Sequence, residues 1–310
     1  MAGTASLSAE TGVAAAEAAG IHLTHPDRIV YAGQGVTKAD LAAYYAAVHE
    51  RMLPHIENRP LSLLRCPQGP AKYCFFQKHD TGGFPEAMQS IEITEKDGQK
   101  ENYFYIDSLA GLLAGTQMNV LEWHIWGSRT KNIEKPERIV FDIDPDEGLG
   151  FDAVRDAARD IRTLLQGFEL ESYPLVTGGK GIHVIAPITP KLEWPEVKEF
   201  CKAVAQRLAD DEPERFVATM SKAKRKGRLF VDYLRNERGS TAIAPWSSRS
   251  REGAPVAVPL GWDELDNVKA ANQFTLAMAA ERARGADPWK GYFDAKQTLK
   301  ASVLKAAGSQ

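Results

Sequence analysis

The sequence has no apolar run approaching the ~20 residues that a membrane-spanning helix needs, so neither a bilayer span nor a membrane partner is expected. Residues 1–20, MAGTASLSAETGVAAAEAAG, lack the basic start and apolar core of an export signal. Rich in alanine, with glutamates, they are expected to form a flexible N-terminal arm in which a short helix is possible. Cysteine is scarce: Cys66, Cys74 and Cys201 lie far apart, and no pair has the C-x-x-C spacing of a zinc knuckle. An odd count without an export signal predicts reduced thiols, packed as small apolar groups, in a cytoplasmic protein. An excess of positive charge is also missing. The net charge of −3 excludes a polycation, but not a nucleic-acid partner, because the distribution of charge matters more than its sum. No repeat or low-complexity linker divides the chain.

What is present is ordinary for a globular protein: 310 residues, 44% apolar and 25% charged. That length fits one large domain or two lobes sharing a cleft. Residues 215–238 concentrate eight Lys/Arg against two acids. Thr37, followed by Asp40, predicts a capped helix carrying Leu41, Tyr44, Tyr45, Val48 and Met52 at helical spacing and ending at Pro54. The segments 60–67, 72–79, 120–127, 136–145 and 227–236 read as strands, and 90–106 as a hairpin about a K-D-G turn. Helices are expected over 107–118, 151–168 and 195–211, with helical pattern within 263–284. Strands and helices alternate without a regular βαβ beat, so the expected fold is α/β with a mixed sheet.

The clearest strand, PERIVFDIDP, carries two acids. Period two places Asp142 and Asp144 on one face and turns Phe141 and Ile143 toward the core. Carboxylates this close repel unless a cation lies between them, and carboxylate oxygens are the donors that magnesium and manganese prefer. D-x-D alone also describes a solvated strand end. A third acid, Asp232, sits in a second apolar strand, LFVDYLRN, where pairing with Arg235 is its plain structural reading. Two metals held by three carboxylates from two strands is the logic of nucleotidyl transfer.

Residues 173–188, YPLVTGGKGIHVIAPI, read as strand, Gly-rich turn and strand, with TGGKGIHV at 177–184. Its glycines let backbone N–H groups converge on an anion, and Thr177, Lys180 and His183 add polar and cationic groups. The spacing is not that of a Walker A loop, and a tight hairpin is the alternative.

Taken in order, D-I-D, T-G-G-K-G-I-H and F-V-D-Y-L-R-N resemble the archaeo-eukaryotic primase superfamily. The nearer resemblance, from LTHPDRIVY to about residue 292, is to the polymerase domain of bacterial ATP-dependent DNA ligase D, an enzyme of non-homologous end joining. It implies a primase-like fold of two lobes around a catalytic cleft, with arm 1–20, polymerase domain 21–295 and tail 296–310. It implies that Asp142, Asp144 and Asp232 are catalytic and hold two divalent ions, Mn2+ or Mg2+. Thr177, Lys180 and His183 match the triphosphate motif, and His124, in EWHIWGSR, matches a histidine near the incoming nucleotide. Arg249 and Arg251, in WSSRSR, match triphosphate-holding cations, although a solvated turn is the other reading of that loop. Arg28 and Lys38 fall where the end-joining branch binds a DNA 5′-phosphate, a lysine being common at the first position. Phe75 and Phe76 match a pair that stacks on the template. Adjacent strand residues point opposite ways, so one of them is expected in the core and the other exposed.

The implied activity is gap filling and 3′-end extension at DNA double-strand breaks with NTPs or dNTPs, favouring ribonucleotides. A primer-independent primase and a non-catalytic DNA-end bridging module are the alternatives. No ligase adenylation motif is visible, since KDGQ reads as a turn. The implied partners are therefore gapped or broken DNA, Ku and a separate ligase, in a cytoplasmic, nucleoid-associated setting.

Overall fold

The computed structural model describes residues 7–69 and 72–300. In chain order its elements are α1 (Ala9–Ala18), β1 (Ile29–Tyr31), β2 (Val36–Thr37), α2 (Lys38–Ile56), β3 (Leu61–Arg65), β4 (Phe75–Gln77), β5 (Gln89–Thr94), β6 (Lys100–Tyr105), α3 (Leu109–Gln117) and β7 (Val120–Ile125). There follow β8 (Arg138–Pro145), α4 (Phe151–Gly167), β9 (Tyr173–Val176), β10 (Ile182–Pro187), α5 (Trp194–Asp211), β11 (Phe216–Val217), β12 (Leu229–Asp232), β13 (Ala242–Ile243), β14 (Val258–Pro259) and α6 (Leu276–Ala283). The chain divides into two compact units, one built from the chain up to Ile125 with Ile243–Ala257 and Phe274–Ala286, the other from the remainder. Among the described residues no helix is long and apolar enough to cross a membrane.

In the first unit, α2 begins as its sequence dictates. The Thr37 hydroxyl accepts from Asp40 N at 3.1 Å, and the Asp40 carboxylate accepts from Thr37 N at 2.9 Å, a reciprocal cap whose loss costs ~1 kcal/mol. The helix passes Pro54 and ends at Ile56. Met52, His55 and Ile56 are buried on either side of it, and that packing carries the helix past the lost N–H bond and the crowding of the ring. The expected flexible arm is corrected as well. From Ala9 it is a helix packed on α2 so closely that a Cβ at Gly12 would meet the Ala39 carbonyl oxygen at 1.8 Å. Residues 1–6 lie outside the described residues.

β3 pairs antiparallel with both β7 and β4, setting Ser62 opposite His124, Leu64 opposite Phe76 and Arg65 opposite Phe75. One step further along that register Cys66 meets Cys74, and a disulfide joins them. The expectation of three reduced thiols is thus corrected, with only Cys201 free and buried. Spacing along the chain did not show the pair, because the hairpin register creates it. β5 and β6 form the expected hairpin, with Gly98 at φ +85° in its turn.

The second unit is a six-stranded sheet in the order β11-β12-β8-β10-β9-β14, antiparallel except for β11 with β12. Ile139, Phe141 and Ile143 on the central β8 are wholly buried. α4 packs against the sheet and buries Val154, Ala158, Ile161 and Leu165. The expected tail is shorter than its assignment. The Gln297 amide donates to Glu171 O at 2.8 Å and to Pro187 O at 2.7 Å, and Leu299 is buried. Residues 301–310 lie outside the described residues. Of the helical pattern within 263–284, only a short turn at Leu265–Asn267 and α6 form.

Candidate metal and nucleotide site

The second unit brings the three aspartates together. β12 lies antiparallel beside β8 with Asp232 opposite Asp142 and Phe230 opposite Asp144. Cross-strand neighbours share a face, so the period-two pair on β8 gains its third member directly. One carboxylate oxygen from each lies within 4.8 Å of the others. Asp142 and Asp232 are buried and Asp144 is half-buried.

A guanidinium and an imidazole contact this cluster. Arg235 reaches Asp142 Oδ2 with Nη2 at 3.0 Å and Nε at 3.1 Å, and Asp232 Oδ2 with Nε at 3.3 Å. His183 Nε2 lies 3.2 Å from Asp142 Oδ1. Burial opposes ionisation of Asp142, but His183 and Arg235 outweigh it and hold the carboxyl at about 2. Burial raises Asp144, and the charges of Asp142 and Asp232 add to that, taking it to about 7. Burial also raises Asp232 in spite of Arg235. Three crowded carboxylates, two of which resist ionisation without a counter-charge, are hard oxygen donors that fit a divalent cation.

The glycine turn abuts these aspartates. A Cβ at Gly181 would meet Ile143 O at 2.2 Å and lie 3.8 Å from Asp142 Oδ1. Gly181→Ala is thus expected to force β8 and β10 apart and lower the melting temperature, read by thermal denaturation. The three assigned side chains of the turn have different surroundings. Thr177 is buried and its hydroxyl donates to Gly181 O at 2.9 Å and accepts from Gly179 N at 3.3 Å, so it shapes the turn. His183 faces Asp142, leaving its buried Nδ1 without a hydrogen bond. Lys180 is exposed.

The other assigned residues belong to the first unit. His124 Nε2 lies 2.9 Å from Glu122 Oε2, and the Phe76 ring meets its edge at 5.3 Å. Arg249 Nε lies 3.1 Å from the same Glu122 oxygen, while Arg251 is exposed. Their loop is not a solvated turn, since Ser247 and Ser248 are wholly buried. Phe76 is 58% exposed. Phe75 is half-buried, stacked on Tyr73 at 5.6 Å and under Arg65 at 5.5 Å. The expected split between the two faces thus holds in direction.

Arg28 and Lys38, assigned by the resemblance to a DNA 5′-phosphate, differ in burial. Arg28 is exposed, but Lys38 is buried and its ammonium donates to Thr24 O and Gln117 O, both at 3.1 Å. Burial, with the Arg28 charge nearby, lowers it to about 8.

Two residues were not assigned to the site from sequence. Arg235 was read only as a structural partner of Asp232, and Glu122 was passed over. The signal for Glu122 was present: in E-x-H on a strand, period two puts Glu122 and His124 on one face.

A mixed antiparallel sheet that gathers three aspartates beside a glycine turn defines a nucleotidyltransferase of the primase-polymerase type. Comparison with known proteins makes this particular. The family model described as the LigD primase-polymerase domain matches residues 37–289, and the chain belongs to that family. It is 35% identical over 303 residues to the multifunctional non-homologous end joining protein LigD of Pseudomonas aeruginosa, covering 97% of this chain and 36% of that protein. The bifunctional LigD of Bacillus subtilis is 30% identical over 265 residues, covering 85% of this chain and 42% of its own length. The chain thus spans well under half of these relatives. Among solved structures, the polymerase domain of Mycobacterium tuberculosis Ligase D in complex with DNA superposes with TM-score 0.83 at 31% identity, covering 89% of this chain and 99% of that one.

Proposed function

We propose that the chain is a template-directed polymerase that fills gaps and extends 3′ ends at DNA double-strand breaks, with a preference for ribonucleotides. The observation that carries this reading is the cluster of Asp142, Asp144 and Asp232, whose oxygens lie within 4.8 Å of one another. Asp142, Asp144 and Asp232 would hold Mn2+ or Mg2+. Bound there, such ions lower the pKa of an attacking hydroxyl and offset charge on the leaving phosphates. The protein's own groups do the rest. The exposed Lys180 binds phosphate oxygens, and His183 and Arg235 orient the carboxylates. His124, Arg249 and Arg251 contact the incoming nucleotide. Arg28 takes the downstream 5′-phosphate, and Lys38 holds the chain beside it. Ku, a separate ligase and a cytoplasmic, nucleoid-associated setting belong to the same proposal.

The test is extension of a labelled primer on gapped DNA with Mn2+ and either NTPs or dNTPs. Extension directed by the template and faster with NTPs is expected; none with either would sink the reading. An arm without primer separates gap filling from primer-independent synthesis.

Phe76→Ala is expected to weaken binding of gapped DNA by ~1–3 kcal/mol with little change in melting temperature, because an exposed ring contributes stacking on a base. Phe75→Ala is expected to lower the melting temperature instead, because Tyr73 and Arg65 pack on that ring. Anisotropy titration and thermal denaturation of both variants check the contrast.

A further inference from the structure

The disulfide of the first unit joins Cys66, just after β3, to Cys74, just before β4. The bond is not what pairs the two strands. Their ladder sets Leu63 opposite Gln77 and Arg65 opposite Phe75, and Arg65 Nη1 donates to Gln77 Oε1 at 2.6 Å. Breaking the bond therefore leaves the hairpin in register and releases the segment between the cysteines.

That segment touches groups that the polymerase reading assigns to DNA, all within the first unit. Arg28 Nη1 donates to Pro67 O at 3.4 Å. Gly69, at φ +85°, runs close to β1, where an added Cβ would lie 3.7 Å from Val30 O. At the other end, Tyr73 is 69% exposed and stacks on Phe75, with ring centroids 5.6 Å and planes 22° apart. The disulfide thus fixes a segment that contacts Arg28 at one end and an aromatic ring at the other.

The bond is open to exchange from one side. Cys66 is 1% exposed, whereas Cys74 is half-buried and follows two exposed residues, Lys72 and Tyr73. A thiolate of a dithiol reductant attacks Sγ of Cys74, and Cys66 leaves as a thiolate and takes up the proton. The second thiol of the reductant then displaces Cys74, and the reductant departs as a cyclic disulfide. Oxidation reverses this when the two cysteines pass two electrons and two protons to a disulfide oxidant such as oxidised glutathione. In a reducing compartment, such as the cytoplasm of the proposed function, disulfides are usually transient and catalytic or redox-sensing.

We propose that Cys66–Cys74 is a reversible redox switch on gapped-DNA affinity: the oxidised form holds Arg28 and Tyr73 ready for a downstream 5′-phosphate and a template base, and the reduced form loosens both. The proposal rests on the polymerase reading, which places Arg28 and the β4 aromatics at DNA. Ordering these side chains before DNA arrives moves the conformational cost from binding to folding.

Wild-type protein is compared after treatment with oxidised glutathione and with dithiothreitol, the state of each cysteine being read by iodoacetamide labelling and peptide mass. Anisotropy titration gives Kd for gapped DNA with and without the downstream 5′-phosphate, and primer extension and melting temperature are measured alongside. Reduction is expected to raise Kd for the phosphorylated gap ~5-fold or more, with a smaller rise for the unphosphorylated one, and reoxidation to restore both. Cys74→Ala is expected to bind like reduced wild type and to ignore either treatment; it retains Cys201, so a response of that thiol is controlled for. The wild-type comparison needs no substitution and stands even if the variant does not fold. Equal Kd in the two states overturns the proposal, as does a lower melting temperature on reduction with Kd unchanged, a response that survives in Cys74→Ala, or a pair that neither treatment converts. Protein that extends a primer but binds gapped DNA alike in both states sinks this inference alone. Protein that neither binds gapped DNA nor extends a primer in either state sinks the polymerase reading, so the two failures are distinguishable.

Discussion

Asp142→Asn and Asp232→Asn are each expected to slow primer extension on gapped DNA by ~10³-fold or more while the chain stays folded. Asparagine preserves the shape of each side chain. The change replaces one carboxylate oxygen with a neutral amide nitrogen, at two positions that face each other across β8 and β12. Each loses an oxygen donor that a divalent cation needs. Asp144→Asn should abolish extension equally but differ in stability. Its carboxyl is taken to about 7 by burial and the charges of Asp142 and Asp232. A carboxyl raised above its ordinary range stabilises the fold while protonated, and that contribution is lost as pH rises through the folded value. Without metal at pH 8, the ionised Asp144 is therefore a liability of a few kcal/mol at most, at ~1.4 kcal/mol per pKa unit. Asp144→Asn should thus raise the melting temperature of metal-free protein at pH 8, while removing most of the stabilisation that Mn2+ gives wild type. Extension rates and thermal denaturation with and without Mn2+ check both halves. A catalytically intact Asp142→Asn, or an Asp144→Asn less stable than wild type at pH 8, would contradict the reading of this cluster.

The sequence told most where a short-range period governs. Asp142 and Asp144 had to share a face because strand geometry allows nothing else, and the Thr37/Asp40 cap followed from a local pattern. Asp232 lies 88 residues after Asp144, and its meeting with Asp142 depends on strand order, which chain periodicity does not encode; only the resemblance joined them. The Cys66–Cys74 pair was missed for the same reason, since register and not spacing makes it. The burial of Lys38 was likewise not legible: the carbonyls of Thr24 and Gln117 accept from its ammonium, a tertiary fact with no local signature. Glu122 and Arg235 lie between these cases. Each stands in a motif visible in the sequence, but Arg235 was read only as a partner of Asp232 and Glu122 was not read at all, and their contacts appear only in the fold.

Arg235→Gln is expected to lower the melting temperature of the metal-free protein and to enlarge the stabilisation by Mn2+. The guanidinium contacts Asp142 Oδ2 at 3.0 Å and 3.1 Å and Asp232 Oδ2 at 3.3 Å. It is the arginine that bridges two of the three carboxylates. Removing one partner of a fully buried ion pair costs ~3–5 kcal/mol. This side chain is 38% exposed, so solvent screening reduces the expected loss to ~1–3 kcal/mol. The loss should depend on pH. Near pH 6 Asp144, whose carboxyl is taken to about 7, is mostly protonated and the cluster carries less negative charge. Near pH 8 it is ionised, and the missing guanidinium leaves more repulsion unopposed. The gap between variant and wild type should therefore widen as pH rises from 6 to 8. A divalent cation bound by the same oxygens would close that gap, because it supplies the charge that Arg235 no longer does. Mn2+ should also bind more tightly at pH 8 than at pH 6, since below the folded value it competes with a proton on Asp144. Melting curves at both pH values, with and without Mn2+, decide the matter. A loss that is equal at pH 6 and pH 8 and not reversed by Mn2+ would mean that Arg235 only holds the turn after β12, and that its contacts with the two aspartates do not neutralise the cluster.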